Sequence, residues 1–100
     1  MSDTRTLKYA HCLSRLIQAK TISRKNQTDI TEFYQFHNLL RNCFPHIFSV
    51  CEYEDFSGSF LLHWKGHGIG DPILLMNHHD VVEASGDWTH DAFSGQIADG

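Results

Sequence analysis

Apolar residues recur at helical spacing through the first stretch of the chain. Leu7, Ala10, Leu13 with Ser14, and Ile17 fall three to four residues apart, and Lys8, Arg15 and Gln18 lie off that face. The spacing predicts a helix that Asp3 or Thr4 can cap. Thr21-Ile22-Ser23 ends it, because β-branched and hydroxyl side chains disfavour its continuation. A polar loop, Arg24 to Thr28, follows. Asp29 and Glu32 then have the spacing of an N-cap and its reciprocal partner in a capping box. Ile30, Phe33, His37, Leu40 and Phe44 form one continuous stripe, which Pro45 stops. His37 lies on that stripe and reads as a buried, hydrogen-bonded core histidine, since no partner of ligand type is near it.

The period then changes. Ile47 to Glu54 alternates loosely, Asp55-Phe56-Ser57-Gly58 is a turn, and Ser59 to Trp64 alternates with Phe60, Leu62 and Trp64 on one side. The two runs predict a hairpin, with His63 half-exposed on its other face. Lys65 to Asp71 reads as a flexible glycine-containing loop. It lacks the spacing of a phosphate-binding loop, and no helix follows it. Pro72-Ile73-Leu74-Leu75-Met76 is apolar on both faces, the pattern of a central strand covered on both sides. Helix, helix, hairpin, central strand is the order of an α/β or α+β layer structure. Asp99-Gly100 is a two-residue hairpin signal that calls for a returning strand, so a further hairpin is expected to start there.

Composition narrows the function classes. With 100 residues, 41% hydrophobic and 20% charged, this is one globular domain's worth of chain and not a disordered one. The formal net charge of -4 argues against nucleic acid as a partner. No apolar run approaches the ~20 residues that cross a bilayer, so no membrane partner is expected. Met1 to Arg5 has no apolar run behind it, which argues against a secretory signal. The three cysteines, Cys12, Cys43 and Cys51, form no CxxC pair. They read as reduced packing residues, the first two in helices and the third in a strand, in a cytoplasmic protein. Eight histidines are unusual, but they are spread from His11 to His90 and cannot share one site.

The chemistry concentrates where the central strand ends, at Asn77-His78-His79-Asp80-Val81-Val82. Side chains two apart on a strand project the same way, so His78 and Asp80 face one side and His79 the other. A histidine that binds zinc through one ring nitrogen usually donates the other N–H to a carboxylate, and His-x-Asp can supply both parts. The tripeptide alone is a weak signal, since a polar cap on a strand reads the same way. It is followed by Gly86-Asp87-Trp88-Thr89-His90 and Phe93-Ser94-Gly95-Gln96-Ile97-Ala98-Asp99-Gly100.

Together with Pro72 to Val82, these segments resemble the first metal-binding segment of the aminoacylase, carboxypeptidase S and acetylornithine deacetylase family of zinc hydrolases, nearest the carboxypeptidase S-like branch. Leu16-Ile17 with Thr21-Ile22-Ser23, Phe36-His37 with Phe44-Pro45, and Leu62-His63-Trp64-Lys65-Gly66 are similar to that branch in order and spacing. The resemblance implies an α/β fold, the N-terminal part of a zinc-exopeptidase-like three-layer sandwich. It implies that His78 ligates one of two zinc ions and that Asp80 is the catalytic-site residue that holds the imidazole. It implies hydrolysis of an amide or peptide bond beside a free carboxylate, in a small peptide or an N-acyl amino acid, by an enzyme that can form a homodimer. His79 and His90 carry no ligand role in this reading.

Residues 1–100 would then be the N-terminal part of a catalytic domain. The bridging aspartate, the catalytic glutamate, the other ligands and the lid domain would follow Gly100. Alone the 100 residues are expected to be inactive, and poorly soluble or partly molten. The alternative is a non-catalytic remnant of the fold that binds a partner or regulates a full-length relative through the Pro72–Met76 strip.

Overall fold

The computed structural model describes residues 3–100. Helix α1 spans Thr4–Gln18. Asp3 caps it as expected, its carboxylate accepting the Thr6 N–H at 2.7 Å, which also holds that carboxyl below its usual pKa. The face that packs is not the predicted one. Cys12, Leu16 and Ala19 turn inward, while Leu7, Leu13 and Ile17 stay exposed. The helix is apolar on two sides, and the small residues of one side allow close approach to α2.

Helix α2 spans Thr31–Cys43. Its predicted stripe is the buried one, with His37 fully inside, Phe33 buried, and Ile30, Leu40 and Phe44 partly so. The capping box does not form. Asp29 lies one residue before the cap and accepts from the Thr31 N–H and hydroxyl, and Glu32 instead accepts the Lys20 N–H at 3.3 Å. Cys12 and Cys43 meet at the α1–α2 contact as buried packing thiols. Burial next to the Cys12 thiol pushes Cys43 up to about 11, so it stays protonated near neutral pH.

Pro45 ends α2 as predicted and also opens a further helix, α3, at Pro45–Val50. A proline at the first helical position loses no hydrogen bond and already has the required φ. Ile47 to Val50 are therefore helical rather than strand, and Cys51 is the cap of α3 rather than a strand residue. Strand β1 is Glu52–Phe56 and β2 is Ser59–His63, paired antiparallel with Tyr53 opposite Leu62 and Phe56 opposite Ser59. Ser57 and Gly58 join them with φ of 56° and 102°, the two positive values that a type I′ turn requires. Phe60 and Leu62 face α2, and Trp64 lies past the strand and is exposed.

Helices with a two-stranded antiparallel sheet make this an α/β chain. The predicted central strand is the main departure. Among the described residues Pro72–Met76 pairs with nothing, and Ile73 and Leu75 are 88% and 90% exposed. A strand apolar on both faces is stable only between neighbours that bury it, and nothing within this stretch provides them. The solvent-accessible surface is 8574 Å², against about 5,800 Å² for a closed globule of this mass. The radius of gyration is 16.2 Å, against about 13 Å. Asp99 and Gly100 have φ of 53° and 83°, and no strand leads into them among the described residues.

Candidate metal-ligand site at the end of the apolar segment

One buried side chain fixes where the His78 segment lies. Thr21, 2% exposed, donates its hydroxyl to the His79 carbonyl at 2.6 Å. Beside it the Val81 N–H donates to the Thr21 carbonyl at 2.9 Å, and the Ser23 N–H donates to the Val81 carbonyl at 3.1 Å. Ile22 and Val81 thus form a short parallel bridge, reinforced by an exposed Arg24–Glu83 ion pair at 2.5 Å. Thr21-Ile22-Ser23 was expected only to end a helix. Its β-branched residues were the available sign of a strand-like partner.

Alternation about this bridge sorts the histidines as expected. His79 turns inward, stacked on Phe36 at 4.8 Å and edge-on to Phe33 at 5.6 Å. Its ring also meets His37 and Phe60. Its Nε2 is buried and makes no hydrogen bond. His37, the expected core histidine, is 1% exposed and has both nitrogens engaged. Nε2–H donates to the Gly58 carbonyl at 2.9 Å, which leaves Nδ1 to accept the Tyr53 hydroxyl at 2.9 Å. Burial lowers its pKa, and the Gly58 carbonyl partly offsets that.

His78 turns outward, its side chain 86% exposed. Its Nδ1 lies 3.0 Å from Asp80 Oδ1 and 3.1 Å from the Asp80 carbonyl. Both neighbours only accept, so Nδ1 carries the proton. In the neutral ring the free lone pair is then on Nε2. The pair opens at one end of a groove between β2 and residues 70–80. His63 lies along the same groove, and His90 lies apart from it. Among the described residues no group of three or more His, Cys, Asp or Glu side chains is placed to hold a metal ion. None of the described helices is long and apolar enough to cross a membrane.

No family model matches the chain, and no solved structure does. The chain is similar to the probable carboxypeptidase S-like 1 of Dictyostelium discoideum, 36% identical over 86 residues. The alignment covers 80% of this chain and 18% of that relative, so the chain spans under a fifth of the relative's length. The similarity supports a relation to peptidases.

Proposed function

We propose that residues 1–100 are the N-terminal part of the catalytic domain of a cytoplasmic zinc-dependent hydrolase, in which His78 Nε2 ligates one of two zinc ions. The observation that carries this is the His78–Asp80 hydrogen bond, which engages Nδ1 as a donor and so makes Nε2 the nitrogen available to a metal in the neutral ring. Similarity to a carboxypeptidase-like protein supports the same reading. The finished domain would be the three-layer zinc-exopeptidase sandwich, with Pro72–Met76 as an interior strand.

The residues fit zinc as one ligand and its orienting carboxylate. A catalytic zinc needs about three protein ligands, so the others and the general base belong to the rest of the polypeptide, and the 100 residues alone are inactive. A bound zinc pair supplies an acidified water and polarises a carbonyl. This chain's part is positional. Asp80 holds the imidazole plane, Thr21 holds the backbone between the two side chains, and the His79 ring anchors that backbone in the aromatic core. The substrate would be a small peptide or N-acyl amino acid cleaved beside a free carboxylate, and the complete enzyme can dimerise.

In the complete protein His78→Ala removes one zinc equivalent by elemental analysis and abolishes hydrolysis. Asp80→Ala weakens zinc affinity about 10–100-fold. Full zinc content and full activity in His78→Ala would defeat the assignment. The exposure of Ile73 to Met76 favours one other reading, a non-catalytic module that docks through this strip. A stable, monodisperse product of 100 residues that modulates a full-length relative would select it.

A further inference from the structure

The contact between α1 and α2 holds a pair of thiols. Cys12 and Ala19 on one side and Cys43 on the other are buried there, all of them small. The two helices run antiparallel. At one end the Tyr9 ring meets Phe44, with centroids 6.3 Å apart, and at the other the Lys20 N–H donates to Glu32 at 3.3 Å. Between those points Cys12 and Cys43 lie within one turn of being directly opposite. The Cys12 thiol is close enough to raise the Cys43 pKa. Helices packed about 8–10 Å apart bring facing Cα atoms to about 4–6 Å, within the roughly 4.4–6.8 Å that a disulfide bridges. Cys51, the remaining thiol, caps α3 and lies on neither helix.

We propose that Cys12 and Cys43 are a redox pair, thiols at rest, which hydrogen peroxide converts to a disulfide that staples α1 to α2. Burial keeps Cys43 protonated, so Cys12 reacts first. Its sulfur takes one oxygen of the peroxide as the O–O bond breaks, which leaves a sulfenic acid and one water. The Cys43 sulfur then displaces that hydroxyl, the S–S bond forms, and the Cys43 proton leaves in a second water. The two sulfurs give up two electrons in all, and the peroxide takes them. A thiol reductant reverses the step, so the bridge is transient in a reducing compartment. The staple ties together both supports of the His78 segment. On the α1 side Ser14 and Gln18 hold Gly95 and Ser94, and Thr21 holds the His79 carbonyl. On the α2 side Phe33 and Phe36 pack against the His79 ring.

This pair depends neither on the metal nor on polypeptide beyond Gly100, so it stands or falls apart from the proposed function. The test treats the purified protein with millimolar hydrogen peroxide and alkylates the remaining thiols. Digestion with trypsin and chymotrypsin together separates Cys12, Cys43 and Cys51 for mass spectrometry. The expected product is a link between Cys12 and Cys43 within one chain, with Cys51 in no link, and dithiothreitol removes it. The urea midpoint read by helical circular dichroism rises by about 1 M or more on oxidation. The rise is absent in Cys12→Ala and in Cys43→Ala. The proposal is overturned if Cys12 and Cys43 are both recovered alkylated or over-oxidised without a link, or if either joins another cysteine or a second chain. A link that leaves the midpoint unchanged, or a rise that persists in either variant, overturns the staple equally.

Discussion

Residues 3–63 and residues 64–100 are built on different terms. In the first stretch three helices and a hairpin close around Phe33 and His37, and the buried polar ring has both nitrogens paired. In the second no helix or strand forms among the described residues beyond the isolated bridge at Val81. That stretch is held at a few points: Thr21 on His79, Ser14 and Gln18 on Gly95 and Ser94, and the His79 ring in the core. The difference shows where each kind of order resides. Helices and tight hairpins close on residues near in sequence. An interior strand takes its stability from neighbours that can be far away.

The comparison is broken most directly at Phe33, which touches His79 and packs under Gly58. Phe33→Ala should cost about 3–5 kcal/mol, a large part of the roughly 5–15 kcal/mol available to a domain. The urea midpoint read by helical circular dichroism should fall steeply. A midpoint that hardly moves would mean that the first stretch is not the core.

Gly95 tests the tethering of the second stretch. Its φ is +64°, and a Cβ there would run into the Ser14 carbonyl. Gly95→Ala should cost about 1–3 kcal/mol, spent locally by detaching residues 93–96 from α1. Limited proteolysis should then cleave faster between residues 85 and 98, with α1 to β2 little changed. Unaltered cleavage would show that the Ser14 contact does not hold this segment.

The same division explains what the sequence made legible. The α2 stripe, with His37 on it, could be read because its period is local and continuous. The convergence of His78 and Asp80 could be read because residues two apart share a face. The face of α1 could not, since Leu7–Leu13–Ile17 and Cys12–Leu16–Ala19 are both apolar and only the partner decides between them. Ile47 to Val50 was misread because a short apolar run fits either period, and Pro45 opens helices as readily as it closes them. The bridge from Ile22 to Val81 joins segments nearly sixty residues apart, and the β-branched residues around Ile22 hint at an extended segment without naming its partner.

Acidification separates the two stretches by a smaller effect. His37 is held neutral by burial, so its folded pKa lies below its unfolded value of about 6.5. Above 6.5 its contribution is fully present. As pH falls, the unfolded chain takes up the proton first, and stability is lost until the lowered folded pKa is passed. Asp55, lowered by the Tyr34 hydroxyl that donates to it, loses its contribution only in the more acidic carboxylate range. Urea midpoints at pH 7.5 and 5.5 should differ in the native chain and converge in His37→Gln. An equal drop in that variant would place the proton elsewhere.

The smallest effect sharpens the comparison most. Leu75 is 90% exposed in this chain, so Leu75→Lys should change its stability by no more than about 0.5 kcal/mol. It should also reduce self-association, because it breaks an exposed apolar run. With a strand paired beside it and its faces covered, the same lysine would be a buried, unpaired charge, a change that costs about 3–5 kcal/mol. One substitution that is neutral in residues 1–100 alone and severe in a longer product would show that polypeptide outside residues 1–100 covers this segment. Equal tolerance in both would mean that Pro72–Met76 stays at the surface, and the local order of the first stretch would then be all the order this region has.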